Sequence, residues 1–283
     1  MRPALDSLLN QTYQNLELVI SDNASTDDTE RICREYAARD RRVRYFRQTH
    51  NLTQVPNIEF VIHEARGEYF VLGADDDWWH PEFVEKLKNI LDRHPDYDVA
   101  IGSVRRVYQD GVVRDEVLYK NNLDITRKSF PEVFDMMSSE RPIHWFCGVF
   151  RTKLLNDLLR QPFPACKAQD RVFMCELALT THIYSIADIL HHKTLYRKAA
   201  AERYADEPIG KQYRDPHAHS KYVWAIVRRL ILSRTIPLWR KLWIYPYHLT
   251  AFVWRNRVFL REWFPRAFTF AVRTRGTLRR LFV

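Results

Sequence analysis

Acidic side chains follow two apolar runs that are typical of buried strands. Asp22 comes directly after the run Leu16–Ser21, and three consecutive carboxylates, Asp75–Asp77, come shortly after the run Tyr69–Leu72. Three adjacent carboxylates repel one another unless a cation lies among them. Hard divalent ions such as Mg²⁺ and Mn²⁺ prefer oxygen ligands and often bridge to substrate phosphates. The pattern predicts a metal-assisted phosphate site, and the alternative is a solvated acidic turn ahead of a helix.

Two histidines, His191 and His192, could add to such a site. Adjacent side chains on a strand point to opposite faces of the sheet, so both cannot easily bind one ion. We therefore expect at most one of them to join the acidic cluster.

Glycine and cysteine patterns exclude several kinds of cofactor site. The chain has seven glycines in 283 residues, and none has the spacing of a dinucleotide-binding G-x-G-x-x-G loop or a Walker A loop. Its four cysteines form no C-x-x-C pair, which argues against a zinc site or a disulfide framework and favours a reducing compartment. No secretory leader is visible, and no apolar run reaches the ~18 residues of a spanning helix. We expect a cytoplasmic protein.

Strand-like and helix-like segments alternate through the first two thirds of the chain. Short apolar runs such as Val43–Phe46 are followed by segments whose apolar residues have helical spacing. The alternation predicts an α/β protein with flanking helices and a mainly parallel sheet. Ligands of such sheets bind beyond the carboxyl ends of the strands, which is where Asp22 and Asp75–Asp77 fall.

Several segments, taken in order, resemble glycosyltransferase family 2, whose catalytic domain has the GT-A fold. Leu18–Thr29 is similar to the family's V-D-D-G-S-T-D segment, and Ala65–Tyr69 to the stretch ahead of its metal motif. Asp75–Pro81 resembles the D-x-D motif and the helix after it. The resemblance covers residues 3 to about 94 and thins to 168–170 and 196–197. It implies a GT-A-type, Rossmann-like α/β fold.

On the donor side, the resemblance implies a role for each matching residue. Asp22 would hydrogen-bond the nucleotide base, usually uracil, and Asn51 would belong to the nucleotide-sugar site. Asp75 would contact the ribose or the metal, and Asp76 or Asp77 would hold Mn²⁺ or Mg²⁺ on the diphosphate.

On the acceptor side, the resemblance implies that Asp170 is the general base. It would take a proton from an acceptor hydroxyl during a single, inverting displacement. Arg197 would face the phosphates. The alternatives are a helix N-cap for Asp170 and a surface charge for Arg197. The implied function is metal-dependent transfer of a sugar from a nucleotide sugar, a UDP-sugar, to a hydroxyl of a glycan or lipid-linked acceptor.

The sequence departs from the family pattern in three places. The segment after Tyr196 and Arg197 commonly carries His in the family, but here residues 198–200 are Lys-Ala-Ala. Gly73 stands where the D-x-D motif usually begins with Asp, and the chain begins at the helix that follows the family's apolar first strand. We therefore expect a GT-A sheet that lacks this strand. Two alternatives stay open: a nucleotidyltransferase of similar fold, and a non-catalytic relative.

Positive charge is concentrated near the end of the chain. Residues 219–283 hold 14 Lys/Arg, one acid and five of the eight tryptophans, a net charge of +13 against +9 for the whole chain. This shift predicts a catalytic unit over 1–205 and a basic, aromatic helical region over 206–283. Such helices dock in membrane interfaces, so we expect peripheral attachment to an anionic membrane. The alternatives are a helical cap on the first unit and a nucleic-acid-binding tail, although no nucleic-acid reader motif is visible.

Overall fold

The computed structural model describes residues 1–119, 145–164, 166, 169–197, 215, 217–239 and 241. The predicted boundary near residue 206 and most of the basic region lie outside these residues. The helices are α1 Arg2–Leu9, α2 Thr29–Arg39, α3 Gln54–Glu64, α4 Phe83–Arg93, α5 Thr152–Leu158, α6 Gln169–Thr180 and α7 Ala218–Leu232. The strands are β1 Leu18–Asp22, β2 Val43–Arg47, β3 Tyr69–Val71, β4 Trp78–Trp79, β5 Val99–Tyr108, β6 Val113–Val117, β7 Val149–Arg151 and β8 Ile183–Leu195.

β1 and β2 form a small parallel sheet. Their register runs from Leu18 opposite Val43 to Asp22 opposite Arg47. α2 is the crossover between them, as the alternation predicts, and it packs on both strands. α3 also packs on β1. The parallel pairing brings the carboxyl ends of both strands, and therefore Asp22, to one edge of the sheet.

The larger sheet is mixed rather than mainly parallel. Its strand order is β3-β7-β5-β8-β4, with β6 paired to β5. β5 and β8 pair in parallel, whereas every other described pair in this sheet is antiparallel. The predicted α/β class is confirmed, and four of the five described strand pairs of this sheet are antiparallel. The antiparallel share comes from the β5–β6 hairpin, whose turn contains Gly111 at a positive φ of 84°, and from the short strands β4 and β7.

Two apolar cores hold helices against this sheet. Phe83, Leu87 and Leu91 recur every four residues along α4 and are fully buried with Trp79 of β4. The second core joins the sheet to α6 and α7. Its buried members from these two helices include Phe173, Met174, Leu177, Tyr222, Ile226 and Leu230. Helix α7, which lies in the predicted basic region, therefore shares a core with the preceding unit.

One edge of β1 and one edge of β3 line a common cavity. Among the described strands, β1 pairs only with β2 and β3 pairs only with β7, so the two edges are not joined to each other. None of the helices in the described ranges combines the length and apolar character that a bilayer span requires.

Candidate active site

The cavity has a volume of about 1260 Å³ and collects residues that are far apart in the chain. Its walls come from α1, β1, α3 and β3 together with the loop after β3. The predicted site residues that line it are Asp22, Asn51, Asp75, Asp77 and Asp170. Four separate segments therefore deliver acidic or amide side chains to one concave surface.

Asp22 is buried at the end of β1, and both of its carboxylate oxygens accept hydrogen bonds. Oδ1 accepts from the backbone N–H of Ser25 at 2.8 Å, and Oδ2 accepts from the hydroxyl of Tyr45 at 2.9 Å and from Nη1 of Arg47 at 2.5 Å. Burial alone would raise the pKa of Asp22, but these donors hold the pKa below its ordinary value. Asp22 is therefore ionised, and it orders the loop that begins the cavity rim.

Asn51 ties two loops together at the same rim. Its Oδ1 accepts from Nδ2 of Asn23 at 3.0 Å and from the backbone N–H of Thr53 at 2.8 Å. Ala24 and Thr53 have positive φ angles of 59° and 71°, which non-glycine residues seldom adopt. Such strain persists only where neighbouring contacts enforce it, and it concentrates at functional sites.

Asp76 and Asp77 are engaged by β8. The buried carboxylate of Asp77 contacts Nε2 of His191 at 3.0 Å and accepts from the backbone N–H of Thr194 at 2.8 Å. Asp76 accepts from the hydroxyl of Tyr196 at 2.7 Å. Although burial opposes ionisation, the hydrogen bond from His191 and nearby positive charge hold the pKa of Asp77 below its ordinary value. Both carboxylates fasten the loop after β3 to the sheet.

Asp75 is the member of the triplet whose carboxylate stays open to the cavity. It is exposed, and it takes part in none of the side-chain hydrogen bonds or ion pairs seen among the described residues. Surrounding protein atoms and the charge of Asp76 raise the pKa of Asp75. In the described ranges, no group of three His, Cys, Asp or Glu side chains is placed to hold a metal ion. The structure therefore does not bring Asp75, Asp76 and Asp77 together as ligands.

The two histidines point to opposite faces, as expected. His191 bonds Asp77 and stacks on Trp79, with ring centroids 5.2 Å apart. His192 packs on Trp78 on the other face, at 4.7 Å. Only His191 joins the acidic cluster, and it does so as a partner of Asp77.

Asp170 lies at the cavity as predicted, whereas Arg197 does not. Asp170 is the second residue of α6, and its exposed side chain lines the cavity. Arg197 is exposed, donates to Asp110 at 2.7 Å and lies over the ring of Tyr108 at 4.3 Å. It does not line the cavity, so the structure does not support its predicted contact with phosphates.

Lys193 was missed by the sequence reasoning. It lines the cavity, and its Nζ lies 3.5 Å from Oδ2 of Asp77. The period-two alternation of a strand would have placed it on the same face as His191. Arg47 was missed as well, although the parallel register sets it opposite Asp22.

The sequence model of the glycosyl transferase family 2 matches residues 1–159, more than half of the chain. The chain belongs to this family. It is 34% identical over 170 residues to an uncharacterized protein of Mycobacterium tuberculosis, covering 53% of this chain and 49% of the relative. It is 32% identical over 162 residues to the putative glycosyltransferase EpsE of Bacillus subtilis, covering 55% and 58%. The chain thus spans about half the length of the curated relatives it matches.

Solved structures show the same fold at low identity. The Staphylococcus aureus protein TarS, residues 1–349 in complex with UDP-GlcNAc, matches with a TM-score of 0.63 and 20% identity, over 91% of this chain and 68% of that one. The mannosyltransferase PcManGT of Pyrobaculum calidifontis, in complex with GDP-Man and Mn²⁺, matches with a TM-score of 0.51 and 15% identity, over 94% and 83%. These likenesses confirm the predicted GT-A-type fold.

Proposed function

We propose that this protein transfers a sugar from a nucleotide-sugar donor to a hydroxyl acceptor, with inversion at the anomeric carbon. The observation that carries the proposal is the single cavity that receives Asp22, Asp75 and Asp170 from three separate segments. A donor site needs acidic groups near its diphosphate, and an acceptor site needs a base within hydrogen-bond reach. Both requirements are compatible with this cavity.

Asp75 is the residue that fits a divalent cation. Mg²⁺ is usually held by one or two carboxylates together with substrate phosphates and water, and the open carboxylate of Asp75 supplies one such ligand. A bound Mn²⁺ or Mg²⁺ would offset negative charge on the leaving diphosphate. Asp76 and Asp77 would then act by holding the loop that carries Asp75, since their own carboxylates are engaged by β8.

Lys193 takes the role that the sequence analysis gave to Arg197. Its ammonium group lines the cavity beside the acidic loop. The contact with Asp77, at 3.5 Å, is longer than the bonds that Asp77 makes to His191 and Thr194. Lys193 can therefore turn to a phosphate oxygen without leaving Asp77 unpaired. A point positive charge at the diphosphate stabilises the charge that develops as the nucleotide leaves.

Asp170 acts as the general base. The acceptor oxygen attacks the anomeric carbon, the bond from that carbon to the diphosphate oxygen breaks, and the hydroxyl proton passes to the carboxylate of Asp170. The products are the inverted glycoside and the nucleoside diphosphate.

The finer assignments extend the same proposal. The donor is a UDP-sugar, supported by the likeness to TarS with UDP-GlcNAc, and a GDP-sugar is the first alternative to test because of PcManGT. The acceptor is a hydroxyl of a glycan or a lipid-linked glycan of the cell envelope. Residues 1–205 form the catalytic unit, and 206–283 form the basic region that holds it at the cytoplasmic face of a membrane.

Calorimetric titration of UDP into the full chain, with Mn²⁺ or with EDTA, tests the donor site. We expect tighter binding with Mn²⁺, loss of that gain in Asp75→Asn, and no change in Asp28→Asn, an exposed aspartate of α2's N-terminus outside the cavity. Equal affinity with Mn²⁺ and EDTA would remove the metal from the proposal. Binding of neither UDP nor GDP would count against the whole donor site.

Substitution of Asp170 tests the base. Asp170→Asn should lower sugar transfer by about 10²–10⁴-fold and leave UDP affinity nearly unchanged, because only proton removal is lost. Mass spectrometry of the products separates the reaction classes: sugar transfer releases a nucleoside diphosphate, whereas nucleotidyl transfer releases pyrophosphate. Wild-type turnover in the Asn variant would exclude Asp170 as the base.

A further inference from the structure

Helix α7 has one face built into the core of the protein. Tyr222, Ile226 and Leu230 are buried against the residues of α6. Arg229 donates from Nε to Oε2 of Glu176 at 2.5 Å, and both side chains are almost fully buried. This face fixes the orientation of α7 on the catalytic unit.

The opposite face of α7 is exposed and mixes basic with large apolar side chains. Its members are three, four, three and one residues apart, a spacing that keeps them on one side of a helix. They are Lys221, Trp224, Arg228, Ile231 and Leu232. Trp224 is 56% exposed and Leu232 is 53% exposed. Burying such side chains from water is favourable, so their exposure together marks a binding surface.

The segment after α7 extends this surface. Leu238 and Trp239 are 73% and 61% exposed. Lys241 donates from Nζ to the carbonyl oxygens of Ile231, at 3.1 Å, and Ser233, which ties the segment to the end of the helix. We call Lys221, Trp224, Arg228, Ile231, Leu232, Leu238 and Trp239 together the docking face.

The charge around the docking face is positive, although its member Lys221 is paired with Asp215. Residues 219–261 contain no Asp or Glu, and 219–283 carry a net charge of +13. A helix with basic residues beside Trp, Leu and Ile lies in the plane of a membrane interface, with its apolar groups among the lipid chains and its basic groups at the phosphates. We propose that the docking face binds an anionic phospholipid bilayer. This inference rests on the membrane attachment given in the proposed function and deepens it, whereas the proposed sugar transfer is tested by separate experiments.

The buried ion pair between Arg229 and Glu176 fixes the orientation of the docking face. Because Arg229 and Glu176 lock the helix to α6, the docking face cannot rotate away from the surface it binds. α6 also carries Asp170 at its N-terminal end. Docking through α7 would therefore hold the cavity in a defined orientation above the bilayer.

Sedimentation of the full chain with vesicles tests the proposal. The vesicles are phosphatidylcholine alone or a 3:1 mixture with phosphatidylglycerol. We expect binding to the mixed vesicles, much weaker binding to the neutral ones, and partial loss at 0.5 M salt, because charge attraction is screened while the apolar contacts remain. Lys221→Gln with Arg228→Gln should weaken binding by about 25-fold, since each basic residue near an anionic surface contributes about fivefold.

Arg31→Gln with Arg34→Gln is the matched control. This pair also lies on the exposed side of one helix, α2, and the double substitution removes the same charge. It should leave vesicle binding unchanged. Brominated lipids should quench the tryptophan fluorescence of the wild type, and Trp224→Phe should reduce that quenching. Equal weakening by both double variants, quenching unaffected by Trp224→Phe, or binding to single-stranded RNA without binding to vesicles would each overturn the inference.

Discussion

The buried ion pair between Arg229 and Glu176 offers a sharp test of how α7 is attached. Arg229 also donates to the carbonyl oxygens of Leu158 at 3.0 Å and Pro162 at 3.1 Å. In Arg229→Met the apolar stem is kept, but the carboxylate of Glu176 remains buried, and within the described part of the chain only the hydroxyl of Thr235 still donates to it, at 3.1 Å. Breaking a buried pair by removing one partner costs about 3–5 kcal/mol. For 283 residues the unfolding entropy is about 0.6 kcal/mol/K, so this corresponds to a fall in Tm of about 5–8 °C.

Thermal unfolding followed by circular dichroism measures this loss, and a double variant separates its cause. Glu176→Gln combined with Arg229→Met removes both charges, so we expect it to be more stable than Arg229→Met alone. Exchange of the α7 backbone amides should rise in the single variant and fall back in the double one. A cost below about 1 kcal/mol in Arg229→Met, or no recovery in the double variant, would refute the view that this pair locks α7 to α6.

Three further outcomes are expected. Lys193→Met should weaken UDP binding about 10–100-fold, the value of a charge-assisted hydrogen bond, whereas Arg197→Gln should leave it unchanged in the same titration. Because the pKa of Asp22 lies below its ordinary value of 3.8 in the folded protein, ionised Asp22 stabilises the fold at pH values above 3.8. This stability is lost as the pH falls through the folded pKa, so Asp22→Asn should flatten acid unfolding curves below about pH 4. Gly111→Ala should cost about 1 kcal/mol in urea unfolding through its positive φ alone, since an added Cβ there meets no neighbouring atom.

Local sequence patterns were sufficient to predict the first half of the secondary structure. The apolar run before Asp22 is β1, and the hydroxyl and acidic residues after it lead into α2. The helical spacing of Phe83, Leu87 and Leu91 is the buried face of α4. The Asp110–Gly111 turn joins β5 to β6. These features depend on neighbours within one or two turns of chain, and such neighbours are visible in the sequence.

The same patterns also predict most of the residues of the candidate site. A parallel strand ends at the ligand-binding edge of its sheet, so the sequence alone predicts that Asp22 and Asp75 lie on one surface. Asp170 was assigned only through the family resemblance, and the structure brings it to the same cavity. The roles of these side chains in binding and transfer remain predictions that the experiments above test.

Only the tertiary structure decided which acidic and basic side chains pair. Asp77 meets His191 across 114 residues of chain because β4 and β8 pair with Trp79 opposite His191. No local pattern encodes that register, so the sequence could not show that Asp76 and Asp77 are engaged while Asp75 stays open. For the same reason, the sequence could not show that Arg197 pairs with Asp110. Alternation along β8 places Lys193 and His191 on the same face of the strand. That this face contacts Asp77 depends on the packing of strands that are distant in the sequence.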